Sequence, residues 1–238
     1  MLLLNGDCLE VLKTLPDKSI DLVMCDLPYG ITNFKWDKKI DINLLWSELL
    51  RVGKKNTPYF FFCTLKFGME IINANPKMFK NDFVWNKTRM TNGLCARYGI
   101  NRSHENILMF YEKKPIYNMM QYHTKKSAGR SGPTSNTCRD DTYDGTKIFE
   151  YTPRLPLSIM DYNPVKKSLH KTGKPVCILE TLIKYYSNEG DTILDPTMGS
   201  GSTGVACINL NRKFIGIELD KEFFKIAEDR LKLCEGVS

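Results

Sequence analysis

The feature that most limits how this chain can fold is the alternation of short apolar runs with longer stretches of helical period. Strand-like runs lie near residues 1–4, 20–25, 58–63, 81–86, 105–112, 191–194 and 213–217. Helical patterns fall between most of them, at 7–14, 42–52, 66–74, 175–187, 202–210 and 221–234. A run that is apolar throughout, such as Leu22-Val23-Met24-Cys25, reads as a strand covered on both faces. Helices between such strands argue an α/β fold, a mostly parallel seven-stranded sheet with helices on both faces. In open sheets of this kind ligands bind outside the carboxyl ends of the strands.

Two strand ends carry residues suited to chemistry. The run at 20–25 leads into Asp26-Leu27-Pro28-Tyr29, which sets a carboxylate, a rigid turn and an aromatic ring side by side. Asp-x-Pro is also an ordinary way to leave a sheet, because Asp caps a turn and Pro fixes φ. The run at 191–194 leads into Asp195-Pro196-Thr197-Met198-Gly199-Ser200-Gly201-Ser202-Thr203-Gly204 and then a helical stretch. Glycines let backbone approach a ligand closely, and a helix start offers unpaired N–H groups. The next run ends in Glu218, about twenty residues beyond the turn, where dinucleotide-binding sheets place the acid that takes ribose hydroxyls. The turn is not a clean Gly-x-Gly-x-x-Gly and comes late in the chain, which argues against a nicotinamide-dependent oxidoreductase. Val205 after Gly204, in place of Lys-Ser/Thr, argues against a phosphate-binding P-loop.

Taken in order, the two motifs resemble those of the beta-class S-adenosylmethionine-dependent DNA amino-methyltransferases, the adenine-N6 and cytosine-N4 family. There the catalytic Asp-Pro-Pro-Tyr element comes first, a target-recognition region follows, and a Phe-x-Gly-x-Gly cofactor loop comes last. The resemblance extends to Asn5-Gly6-Asp7-Cys8, to Trp85-Asn86-Lys87, to the run His104 to Phe110, and to His170-Lys171-Thr172-Gly173-Lys174-Pro175. It covers nearly the whole chain except roughly residues 114–165. Leu27 departs from the first proline of the catalytic element, and Thr197 from the phenylalanine of the late loop. Lys171 and Gly173 depart from the family's His-Pro-Thr-Gln-Lys.

The resemblance implies a Rossmann-like methyltransferase fold with circularly permuted motifs and an antiparallel edge hairpin. Its parts would be a catalytic portion (1–112), a target-recognition insert (113–168) and a cofactor-binding portion of the same domain (169–238). Catalysis falls to Asp26, Leu27, Pro28 and Tyr29: the Asp26 carboxylate and the Leu27 carbonyl hold the amine, and Tyr29 stacks on a flipped base. S-adenosylmethionine is the implied cofactor. Asp7 and the Cys8 backbone N–H are assigned to its adenine, Glu218 to the ribose, and His170, Thr172, Lys174 and Ser200 to the methionine moiety. Asp26, Asp195, Gly199 and Gly201 complete the cofactor site. Lys174 also reads as a surface lysine at a helix start, and His104-Glu105 reads as structural.

The net charge of +7 is concentrated in residues 113–171, which hold eleven Lys or Arg against five Asp or Glu. A basic stretch of this kind suits double-stranded DNA as a partner, with Lys125, Lys126, Arg130 and Arg139 the candidate contacts. Tyr122 to Asn136, rich in Gly, Ser and Lys, reads as a mobile loop. The expected reaction is methyl transfer to adenine N6 in DNA by base flipping and in-line attack, as in restriction-modification, phage or orphan modification enzymes. Cytosine N4 is the alternative, and a catalytically inactive nucleic-acid-binding module a third reading. Met1-Leu-Leu-Leu4 is too short for a signal or membrane span. Eight cysteines without a Cys-x-x-Cys pair read as reduced thiols of a cytoplasmic protein with no metal site, and a homodimer stays open.

Overall fold

The computed structural model describes residues 1–28, 39–87, 97–118, 157–162 and 173–236. Within them a single sheet runs in the order β1-β8-β7-β2-β3-β5-β4-β6. Its parallel half consists of β1 (Leu2–Asn5), β8 (Lys213–Glu218), β7 (Thr192–Asp195), β2 (Leu22–Cys25) and β3 (Tyr59–Cys63). Beyond β3 the direction reverses: β5 (His104–Phe110) is antiparallel to both β3 and β4 (Phe79–Asn86). The seven expected strands are all present. An eighth, β6 (Ile159–Asp161), adds to the far edge parallel to β4.

Helices cover both faces because the inner strands are apolar on both. In β3, Tyr59, Phe61 and Cys63 point to one core cluster and Phe60 and Phe62 to the other, as the two-residue period of a strand requires. The first cluster lies under α1 (Cys8–Leu12), α2 (Ile42–Val52) and α3 (Leu65–Ala74). The second lies under α4 (Val176–Tyr186), α5 (Ser202–Asn209) and α6 (Lys221–Glu235). Leu45, Trp46, Leu49 and Val52 recur at helical spacing on the buried side of α2, and Asp41 caps that helix by accepting from the N–H groups of Asn43 and Leu44. Thr64 and Asp220 cap α3 and α6 in the same way.

The edge strand β6 is held by backbone and side chain together. Val84 N–H donates to the Ser158 carbonyl at 2.8 Å, the Trp85 indole donates to the Tyr162 carbonyl at 2.8 Å, and the Asn86 amide donates to Asp161 Oδ1 at 2.8 Å. On the other side of the intervening segment, Asn118 N–H donates to the Tyr185 carbonyl at 2.8 Å and its amide to the Ser187 carbonyl at 2.9 Å. Among the described residues no helix is long and apolar enough to cross a membrane.

Trp46 is the hub of the first cluster, with ring centroids of Tyr59, Phe61 and Phe110 at 5.6, 5.1 and 5.1 Å. Its indole N–H is buried without a hydrogen-bond partner among the described residues. Trp46→Ala is expected to lower unfolding free energy by about 3–5 kcal/mol, measured by denaturant titration. Trp46→Phe keeps a ring and removes the unsatisfied donor, so it should cost clearly less.

Candidate functional site

Parallel pairing brings four acidic residues to one rim. Asp26 follows β2, Asp195 ends β7, Glu218 ends β8, and Asp7 lies two residues beyond β1. The β1 and β8 ends are tied together, since the Asn5 amide and the Gly6 N–H both donate to the Glu218 carbonyl, at 2.8 and 3.0 Å. Asp7 is exposed and caps α1 by accepting from Leu9 N–H at 2.8 Å. Cys8 beside it is buried, and burial, then the Asp7 charge, push its thiol up to about 12. A neutral, inward thiol leaves the backbone as the part of Cys8 that a ligand can use.

Glu218 receives two backbone N–H groups, Gly199 on Oε2 at 2.9 Å and Asp220 on Oε1 at 2.8 Å. Burial raises its pKa against the opposing pull of these donors. Each oxygen keeps a second lone pair, so the carboxylate can still accept from a diol. The glycine-rich turn is shaped by two left-handed residues, Gly199 at φ +53° and Gly201 at φ +77°. A Cβ at Gly199 would meet none of the described residues within 4 Å, so among them this turn borders open space beside Glu218. At Gly201 a Cβ would lie 3.2 Å from Leu231, which seats the start of α5 against α6. Together, the open turn, the Glu218 carboxylate and the exposed Asp7 fit a nucleoside.

The other turn residues face inward. The Asp195 carboxylate accepts from Thr197 N–H at 3.1 Å and from the Thr203 hydroxyl at 2.6 Å, so it braces the turn instead of lining it. Ser200 is buried, and Arg230 of α6 donates to its carbonyl at 3.0 Å and its hydroxyl at 3.4 Å. Arg230 went unmarked in the sequence, where a basic residue on an amphipathic helix carries no signal of reaching a distant turn.

The Asp26-Leu27-Pro28 turn is joined to this loop through Thr197, whose hydroxyl donates to the Asp26 carbonyl at 3.1 Å. The departure from phenylalanine therefore supplies a tether between the two motifs. Leu27 is buried in the first core cluster, which leaves its backbone for any contact at the rim. Lys174 is not a surface lysine: it is 9% exposed and donates to Asp26 Oδ2 at 2.6 Å. Glu105 Oε2 stands 3.4 Å from the same ammonium. Burial alone would lower the Lys174 pKa, but Asp26 and Glu105 outweigh it and raise it, so the side chain stays charged. Tyr29, His170, Thr172, Lys125, Lys126, Arg130 and Arg139 lie outside the described residues.

A separate cavity of about 760 Å³ opens between β4, β6 and α4, lined by Tyr111, Tyr117, Tyr185 and Tyr186 among others. None of the rim acids borders it.

A family model described as DNA methylase, for the N6 and N4 methyltransferases, matches residues 20–229. The chain belongs to this DNA methylase family. The type II methyltransferase M.HpaI of Haemophilus parainfluenzae is 29% identical over 243 residues, 96% of this chain and 73% of that protein. The DNA adenine methyltransferase YhdJ of Escherichia coli is 29% identical over 257 residues, 99% of this chain and 84% of the relative. Among solved structures, M1.HpyAVI bound to SAM superposes with a TM-score of 0.64 at 25% identity, covering 97% of this chain and 99% of that one. The DNA methylase fold is thus a Rossmann-like sheet with permuted motifs, and the rim just described is its strand-end crevice.

The brace at Asp195 makes a pH prediction. Burial, against the Thr203 and Thr197 donors, raises its pKa to about 7, whereas an unfolded aspartate titrates at about 3.9. Between those limits the folded state holds a proton that the unfolded state has released, so this group's stability contribution is lost as pH rises toward 7. Asp195→Asn keeps an acceptor but cannot titrate. Its melting temperature, relative to the parent, is expected to improve between pH 5 and pH 7.5 in thermal melts.

Proposed function

We propose that the chain transfers the methyl group of S-adenosylmethionine to adenine N6 in double-stranded DNA. The observation that carries this reading is the Thr197 tether, which sets the Asp26 turn against the loop that borders Glu218. An amine acceptor and a nucleoside-binding rim then share one crevice. The likeness to a DNA adenine methyltransferase supports adenine as the base, as does a carboxylate at position 26 where the cytosine-N4 branch commonly opens with serine.

S-adenosylmethionine, when bound, supplies a methyl group on a positively charged sulfur that leaves as a neutral thioether. Asp7, the Cys8 N–H, Gly199 and Glu218 hold its nucleoside end. The chain's own part in the reaction is to prepare the amine. Its nitrogen is a weak nucleophile because the lone pair is delocalised into the ring. Asp26 accepts one N–H and the Leu27 carbonyl the other, which favours the tetrahedral nitrogen of the transition state over the planar ground state, and the nitrogen, cationic once methylated, sheds its surplus proton by way of Asp26 to solvent. Holding amine and methyl in line removes most of the remaining entropic barrier. The target base leaves the helix to reach this crevice, and Tyr29 stacks on it. The basic stretch with Lys125, Lys126, Arg130 and Arg139 holds the duplex, as the recognition part of residues 113–168. The buried cysteines and the DNA substrate suit the cytoplasm.

Asp26→Ala is expected to lower methyl transfer from S-adenosylmethionine to unmodified plasmid DNA by at least about a hundredfold. Cofactor affinity by calorimetry should change little. Mass analysis of the digested DNA is expected to find N6-methyladenine. Methylation confined to cytosine N4 would move the reading to the other branch of the family, and undiminished turnover in the variant would remove Asp26 from the reaction.

A further inference from the structure

Three sequence landmarks, of which Lys174 alone was assigned a role toward the cofactor, meet behind the catalytic turn. Lys87 follows β4, Glu105 lies at the start of β5, and Lys174 precedes α4. Because β5 is antiparallel to β3, its first residues lie beyond Cys63, at the carboxyl end of β3 and so at the same rim as Asp26. The charges alternate along a row. Lys87 Nζ stands 2.5 Å from Glu105 Oε1, Glu105 Oε2 stands 3.4 Å from Lys174 Nζ, and Lys174 Nζ stands 2.6 Å from Asp26 Oδ2.

We infer that Lys174, Glu105 and Lys87 are positioning residues: Lys174 fixes the Asp26 carboxylate for the substrate amine, and Glu105, itself held by Lys87, fixes Lys174. The inference rests on the function proposed above and assigns the residues that aim its acceptor. A short charge-assisted bond to one oxygen sets the plane of the carboxylate and so the direction of its other lone pairs.

The rest of the row explains how a lysine can be kept at such a place. One partly exposed aspartate compensates poorly for burying an ammonium, and a buried charge with an imperfect partner is costly. Glu105 supplies a second anion, and the Phe62 ring lies 5.4 Å from Lys174 Nζ. Glu105 then carries the same difficulty, and Lys87, 4.8 Å from the Trp85 ring centroid, answers it. Burial pushes the Glu105 pKa up, but Lys174 and Lys87 together bring it below the ordinary value. Buried ion pairs add little stability over apolar replacements of the same volume. A row of four that ends on the proposed acceptor is better accounted for by orientation than by stability.

The test is single-turnover methylation of unmodified plasmid DNA with S-adenosylmethionine, using the parent, Asp26→Ala, Glu105→Gln, Lys174→Met and the Glu105→Gln/Lys174→Met double variant. Thermal melts of each variant serve as the control for folding, and calorimetric cofactor binding is measured beside them. Glu105→Gln is expected to slow methyl transfer about tenfold to a hundredfold while cofactor affinity stays within about threefold. The double variant should be no slower than Lys174→Met alone, within about twofold, because Glu105 acts through Lys174. The inference is overturned if Asp26→Ala is inactive but Glu105→Gln transfers methyl at the parent rate. Losses that multiply in the double variant, or a fall in cofactor affinity large enough to account for the Glu105→Gln defect, would overturn it too. A fully active Asp26→Ala, or a parent that methylates no DNA, would instead overturn the function on which it rests.

Discussion

Parallel hydrogen bonding obliges neighbouring strands to finish on the same side of a sheet, and most of this site is a consequence of that obligation. β1, β8, β7 and β2 are adjacent and run one way, so Asp7, Glu218, Asp195 and Asp26 arrive at one rim although they span most of the chain. Such a concentration of carboxyl groups would repel itself if all were treated alike. Each is relieved differently: Asp7 by a helix N-terminus and open solvent, Glu218 by two backbone N–H groups, Asp195 by the Thr197 and Thr203 donors and a pKa that burial raises to about 7, and Asp26 by a lysine. The differences in local environment let chemically similar side chains do different work: Asp7 caps, Asp195 braces, and Glu218 and Asp26 are left for the roles proposed for them toward cofactor and amine.

The reversal of direction after β3 adds what a purely parallel sheet could not. A strand running the other way delivers its beginning, not its end, to the rim. His104 and Glu105 therefore stand where only strand termini would otherwise be found, and Lys87 arrives opposite them from the end of β4. Glu105 of the antiparallel portion thus faces the same lysine, Lys174, as Asp26 of the parallel portion.

The alternation of elements and the roles of strand ends were legible in the sequence because β2 and β3 are apolar at every position, which demands cover on both faces. Asp26, Glu218 and the glycine turn were legible for the same reason, since each follows such a run directly. β6 was not, because three residues with an exposed Ile159 at their start make no pattern. The burial of Lys174 was equally hidden. A lysine ahead of a helix reads as solvent-facing until its partner, 148 positions away, is known. Thr197 read as the loss of an aromatic contact, and its bond to a carbonyl 171 residues earlier has no local signature. Asp195 and Ser200 were placed correctly on their turn, but the direction of a side chain on a turn is set by neighbours from other elements, here Thr203 and Arg230.

The anchoring of Asn118 to the end of α4, and of residues 158–162 to β4, has a consequence for the stretch between them. The two ends of the intervening stretch are fastened independently, each by contacts that never involve the residues between them. Those junctions behave like the two halves of a socket. A change of length in the stretch between them need not disturb the sheet or the rim, because the hydrogen bonds that fasten either junction are made by residues on its own side.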